Sequence, residues 1–347
     1  MRYPEFLAPG GRIGFIAPSF GCSTEPYRSA FGAALEHFHA MGYQTVLGPN
    51  CYAEEGIGKS STPKACGAEI NDFFLHDRAD VILSCGGGET MCEDLPFTDF
   101  EAIAKAKPHW FMGYSDNTNL TFTLPTLCDT AAVYGPCASS FGMQPLHESL
   151  EDAFAVLTGS KHVFTNYKGW EKESLKDEEH PFAPYNITEP YGMTVLDRSG
   201  RTSKDGSVSF SGRLLGGCLD CLVTLCGTRF DGAAAFAERY REDGILWFLE
   251  ACDLNPMSFR RALWQLKEAG WFRHAGGFIF GRPMHFGEEF MGMGFDDAAA
   301  DVLGDLNVPI LLNADLGHLP PMMPFISGAV AKVEARDGAM TLQTLLI

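Results

Sequence analysis

The chain has 347 residues, with 46% hydrophobic and 20% charged side chains, a globular balance too long for one ordinary core. Its 26 basic and 44 acidic side chains leave a net charge of −18. That charge repels phosphate backbones and anionic lipid, so nucleic acid and membrane are poor partners. The opening MRYPEFLAPGGRIGFIAPSF lacks a basic stretch followed by an unbroken apolar run, so a secretory leader is not expected. No run approaches the roughly 18 apolar residues of a membrane span. Eleven cysteines, an odd number set mostly in apolar runs, fit reduced thiols and a cytoplasmic location.

In chain order, the periodicity predicts a strand over 12–18, a helix over 26–41, a strand over 43–47 and a helix over 62–74. A third strand over 79–84 runs into Cys85-Gly86-Gly87-Gly88-Glu89. A fourth over 110–112 runs into Gly113-Tyr114-Ser115-Asp116, with a helix over 117–127 and a fifth strand over 133–135. Strands alternating with helices imply right-handed crossovers, a mainly parallel doubly wound sheet, and ligands at the strands' carboxyl ends. Residues 161–206 break the rhythm: 168–181 are densely charged and 184–199 carry no clear period. They are predicted to be a connection with a loop, separating an N-terminal domain over 1–160 from a smaller α/β domain over 207–347. There, 207–213 reads as a strand, and Leu214-Leu215-Gly216-Gly217 is predicted to open a helix reaching Leu225. A strand over 244–249 ends at Glu250, a helix spans 258–269, and further strands span 277–280, 310–312 and 329–334.

The chemistry-bearing positions fall at strand ends. Ser115 stands on a tight strand-to-helix turn, where Gly113 removes a crowding Cβ and the Asp116 backbone N–H can face a developing oxyanion. Asn117 occupies the place of the second glycine in the full G-x-S-x-G elbow, and a plain helix cap is the structural alternative for this serine. The glycines at 86–88 can bring backbone N–H groups close to a ligand, as a second oxyanion donor near Gly87 or as a simple tight turn; a P-loop is excluded because no G-K-[ST] follows. His318, in a proline-stiffened loop after a strand, is the first choice of base, and His285 the second. Glu250 closes five apolar residues, where a carboxylate needs a partner: the base's imidazole, or Arg260 or Arg261. Asp253 lies close by as another carboxylate or as a helix cap. Cys85 is a rival nucleophile. Cys218-x-x-Cys221 is a weak metal motif, better explained as core thiols.

At these residues the chain resembles the LD-carboxypeptidase family of serine peptidases. The resemblance runs over essentially the whole length: Ile13-Gly14-Phe15-Ile16-Ala17-Pro18-Ser19, the glycine turn at 86–88, Gly113-Tyr114-Ser115-Asp116, 214–217 with Gly227-Thr228, Leu249-Glu250, and Gly317-His318 with Pro324 and Gly328. It implies a Ser-Glu-His triad at Ser115, Glu250 and His318, an oxyanion hole from Asp116 and Gly87, substrate contacts near Gly88, Glu89 and Trp170, no metal or other cofactor, and a homodimer. It also implies a small peptide or aminoacyl-nucleotide substrate. One branch of the family trims D-alanine from the murein tetrapeptide; another resembles microcin-C immunity peptidases, which cut an amide between an aminoacyl group and a nucleotide. Trp170, and the absence of a glycine-tyrosine-glycine form at 86–89, favour the second branch. The alternative outside enzymes is a binding protein that uses the same site for a small ligand.

Overall fold

A computed structural model describes residues 1–55, 58–196, 202–203 and 206–347. Two compact units of nearly equal size divide the chain: Met1–Lys161 with Glu173–Asn186, and His162–Lys172 with Ile187–Ile347.

The first unit follows the predicted alternation: β1 (Arg12–Ile16), α1 (Tyr27–Ala40), β2 (Gln44–Leu47), α2 (Pro63–Leu75), β3 (Val81–Ser84), α3 (Phe100–Lys105), β4 (Trp110–Gly113), α4 (Thr118–Cys128), β5 (Ala132–Tyr134) and α5 (Glu148–Thr158). Its strands lie parallel in the order β5-β4-β3-β1-β2. The order reverses at β1, so the loops after β1 and β3 open where such sheets bind ligands. Side chains from both faces, among them Ile70, Phe73, Ile82, Phe111 and Leu120, form the core. Local chemistry sets the helix starts. Thr62 caps α2 by accepting the Ala65 N–H at 3.2 Å, with Pro63 at the first helical position. Asp99 caps α3 through Ala102 at 2.9 Å. The short α3 and the helix α5 escape the period pattern.

The second unit holds β6 (Val163–Thr165), β7 (Gly169–Glu171), β8 (Ile187–Pro190), β9 (Thr194–Leu196), β10 (Thr202–Ser203), β11 (Val208–Cys218), α6 (Leu219–Leu225), α7 (Ala233–Arg239), β12 (Ile245–Glu250), α8 (Pro256–Glu268), β13 (Ala275–Gly281), α9 (Phe295–Leu303), β14 (Ile310–Ala314), β15 (Phe325–Ser327), β16 (Val330–Arg336) and β17 (Ala339–Leu345). Strands β14, β13, β12 and β11 form its parallel centre. Antiparallel strands flank it: β9 and β10 on one side, β16, β17 and β6 on the other.

Two expectations change. The helix predicted to open at 214–217 is strand: β11 continues to Cys218, and the helix begins at Leu219. The glycines there serve sheet contact, since a Cβ on Gly216 would lie 1.8 Å from the Phe248 carbonyl oxygen. The segment predicted as a connection, 161–206, is divided between the units. Part of it pairs as β6 and β7 in the second unit. Residues 173–186 belong to the first, where the Gln144 N–H donates to the Phe182 carbonyl at 2.9 Å and Tyr185 packs edge-on to His147. Residues 197–201 and 204–205 of this segment lie outside the described residues.

Candidate active site

In the first unit, β4 drives buried Trp110, Phe111 and Met112 to the carboxyl edge of the sheet, and the chain turns sharply at Ser115. Ser115 has φ +63°, the left-handed region, which strains a residue with a Cβ by on the order of 1–3 kcal/mol. The surrounding contacts hold that strain. The Ser115 N–H donates to the Tyr134 hydroxyl at 3.1 Å. Asn117, the residue that departs from the full elbow motif, donates through Nδ2 to the carbonyls of Gly86 at 2.8 Å and Tyr114 at 3.0 Å. It thereby ties the serine turn to the glycine turn, and a Cβ on Gly113 would meet its side chain at 2.8 Å.

The glycine turn lies directly against the serine: a Cβ on Gly87 would sit 3.2 Å from Ser115 Cβ and 3.4 Å from Oγ. Its peptide planes are fixed, since the Gly86 carbonyl also accepts the Ser84 hydroxyl at 2.9 Å and the Gly87 carbonyl accepts the Phe20 N–H at 2.8 Å. Gly88 has φ +149° and passes so close to Ser19 that a Cβ would overlap its hydroxyl. Glu89 follows, exposed. The Asp116 side chain turns inward and accepts the Ser19 hydroxyl at 2.5 Å, the Met91 N–H at 2.9 Å and Asn119 Nδ2 at 3.0 Å. Burial pushes its carboxyl up, and these hydrogen bonds pull against that. One carboxylate thus joins the loops after β1, β3 and β4.

Cys85 does not suit a nucleophile. It is fully buried, and burial beside the thiols of Cys22 and Cys51 drives it well above the usual thiol range. Cys85→Ala is expected to keep wild-type turnover, and native Cys85 to resist iodoacetamide; loss of turnover in this variant would restore it as a contender.

In the second unit, β12 ends at Glu250, whose side chain is fully buried. Glu250 Oε2 lies 2.9 Å from His318 Nδ1, and the imidazole remains 14% exposed. Burial alone would lower the imidazole's pKa; the Glu250 carboxylate and the Cys252 side chain outweigh it and raise His318 well above the ordinary range. Space for the pair is made by glycine. Gly317 has φ +97°, and a Cβ on it would lie 2.8 Å from both Cβ and Oε2 of Glu250. Gly317→Ala is expected to cost on the order of 1–3 kcal/mol in urea unfolding and to lower kcat, because the backbone at 317 is strained and the added Cβ overlaps Glu250.

His285 and Arg260 are engaged elsewhere. His285 is half exposed and pairs with Glu288 at 3.1 Å. Arg260 pairs with Asp301 at 2.5 Å. Asp253 is exposed, and Asn255 caps α8. Cys218 lies against Cys221, and that contact and burial raise its thiol. Trp170 is only 4% exposed; its ring packs against Arg282 at 5.4 Å and edge-on to Phe286 at 5.1 Å, and its Nε1 donates to the Pro190 carbonyl at 3.1 Å.

Sequence reasoning singled out Gly87, Ser115, Glu250 and His318 as candidates, read Asn117 only as a departure from the elbow motif, and gave no role to Ser19, Asn119 or Tyr134. Ser19 and Asn117 carried a signal, each a small polar residue in a strand-end loop; Asn119 reaches Asp116 locally, three residues on, whereas Tyr134 reaches the turn only through the folded sheet.

Residues 13–135 match the model of the LD-carboxypeptidase N-terminal domain, and residues 211–333 match that of the LD-carboxypeptidase C-terminal domain. The chain belongs to the LD-carboxypeptidase family. Among its relatives in this family, the microcin C7 self-immunity protein MccF of Escherichia coli is 24% identical over 94% of this chain and 92% of its own. A putative carboxypeptidase of Treponema pallidum is 24% identical over 97% of this chain and 94% of its own. The solved structure of MccF in complex with glutamyl sulfamoyl guanosine shares the fold, with a TM-score of 0.80 and 22% identity over 99% of this chain and 98% of that one. Membership makes this chain a serine peptidase or amidase and does not favour the non-catalytic binding protein. Among the described residues no helix is long and apolar enough to cross a membrane.

Proposed function

We propose that this peptidase hydrolyses the amide between an aminoacyl group and a nucleotide, with Ser115 as nucleophile, His318 as general base and Glu250 as its orienting carboxylate. The observation that carries the triad is the 2.9 Å contact between His318 Nδ1 and a fully buried Glu250, which keeps the Nδ1 proton in place and leaves Nε2 to act. His318 takes the Ser115 proton as Oγ attacks the carbonyl carbon; the N–H groups of Gly87 and Asp116 receive the oxyanion; His318 then protonates the leaving nitrogen, and water resolves the acyl-enzyme. Gly88 and Glu89, bordering the oxyanion turn, contact the substrate. Trp170 acts as the buried support of Phe286 rather than as an open ring. No cofactor enters this scheme. Eleven free thiols and the acidic surface suit a cytoplasmic enzyme, which we take to work as a homodimer.

The relative captured with glutamyl sulfamoyl guanosine supports the choice of substrate. Side-by-side hydrolysis of that analogue and of the murein tetrapeptide decides it. The aminoacyl nucleotide is expected to be cleaved with the higher kcat/KM; a preference for the tetrapeptide would move the enzyme to the cell-wall branch. Light scattering of the eluting protein checks the dimer.

A further inference from the structure

We propose that Arg282 is a positioning residue for the general base, holding the loop that carries His318 in register with Glu250. This rests on the Ser-Glu-His assignment above. Arg282 follows β13 directly and is 1% exposed, a place where a cation is costly unless it is paired and hydrogen-bonded. Its guanidinium pairs with the Asp315 carboxylate at 2.7 Å. Nη1 also donates to the Asn313 carbonyl at 3.4 Å, and Nη2 to the carbonyls of Leu319 at 3.1 Å and Pro321 at 3.3 Å. Two of these partners precede His318 in the chain and two follow it, so the loop curls around one side chain with His318 among the residues it encloses. Asp315 is anchored in turn: its Oδ2 accepts the Tyr167 N–H at 2.7 Å, and its carbonyl accepts the Met323 N–H at 2.8 Å. Trp170 packs against the guanidinium. Here the fork also reaches main-chain carbonyls on both sides of the base, which the single nitrogen of a lysine cannot reproduce.

The test compares Arg282→Lys, Asp315→Asn and His318→Ala in the full-length enzyme, with glutamyl sulfamoyl guanosine as substrate and the His318 Nδ1–H followed by proton NMR. Arg282→Lys is expected to lower kcat on the order of 10²-fold, the effect of a misplaced catalytic group, with KM little changed and the Nδ1–H resonance lost or broadened. Asp315→Asn, of the same size and still able to accept a hydrogen bond, is expected to shift both readouts in the same direction and decides the matter if the lysine variant does not fold. If His318→Ala abolishes turnover while the folded Arg282 or Asp315 variants keep both kcat and the Nδ1–H signal, Arg282 is merely structural and the proposal fails. If His318→Ala retains turnover, the triad assignment fails instead.

Discussion

Ser115→Ala is expected to lower kcat by on the order of 10⁴-fold or more while leaving KM within reach of the wild-type value. The residue at this position must do two things at once. It occupies a left-handed turn at φ +63°, and it presents Oγ beside Gly87. Alanine meets the first demand at the same backbone cost, so the fold and the Gly87 contact survive, and the loss falls on chemistry alone. Fluorophosphonate labelling should vanish in this variant, and circular dichroism and melting temperature should not move. Cysteine at 115 is expected to restore labelling by thiol-directed reagents because the turn would expose its sulfur as it does Oγ. An alanine variant that still turns over substrate would remove Ser115 from the mechanism, and with Cys85 buried among thiols the nucleophile would then have to lie outside the strand-end loops considered above.

Much of this candidate site was legible before the fold, because strand ends are legible. A run such as Val81–Ser84, buried at every position, stops abruptly at three glycines, and Ile245–Glu250 stops at a carboxylate that burial cannot tolerate alone. Those endings mark a parallel sheet's functional edge without any knowledge of what lies across it. The failures have an equally physical origin. Residues 214–217 mix leucine and glycine in a way that suits a helix start as well as a strand, and only the 1.8 Å approach of Gly216 to the neighbouring strand selects the latter. Residues 161–206 look like a solvated linker because their order comes from partners distant in the chain, as when Thr165 pairs with Thr341. The Asn117 clamp escaped notice for the same reason: its partner, the Gly86 carbonyl, is 31 residues away. Arg282 carried no signal of its own, because the carbonyls it holds lie up to 39 residues on.

Glu250→Gln is expected to lower kcat by about 10⁴-fold, as when the carboxylate of a serine-histidine-carboxylate triad becomes an amide. Glutamine fits the same buried volume, but its amide can donate to Nδ1 and so favour the tautomer with the proton on Nε2, the nitrogen that accepts from Ser115 in the proposed mechanism. The pH dependence carries the sign of the electrostatics. In the wild type the Glu250 carboxylate overrides burial and raises His318, so a neutral base forms only as pH climbs, and kcat/KM should rise through the neutral and alkaline range. Without that charge, burial is opposed less, the Cys252 side chain still acting against it, so the imidazole falls and the ascending limb of the residual activity should move to lower pH. Stability follows the same pair. A histidine with a raised folded pKa stabilises fully below its unfolded value of about 6.5, and the contribution is lost as pH rises through the folded value. The wild type should therefore hold its greatest advantage over Glu250→Gln in urea unfolding below about pH 6.5 and lose it on the alkaline side, where a neutral imidazole leaves the Glu250 charge buried without its counter-ion. An advantage that grew with pH would mean that His318 is neutral throughout and that Glu250 answers to another cation.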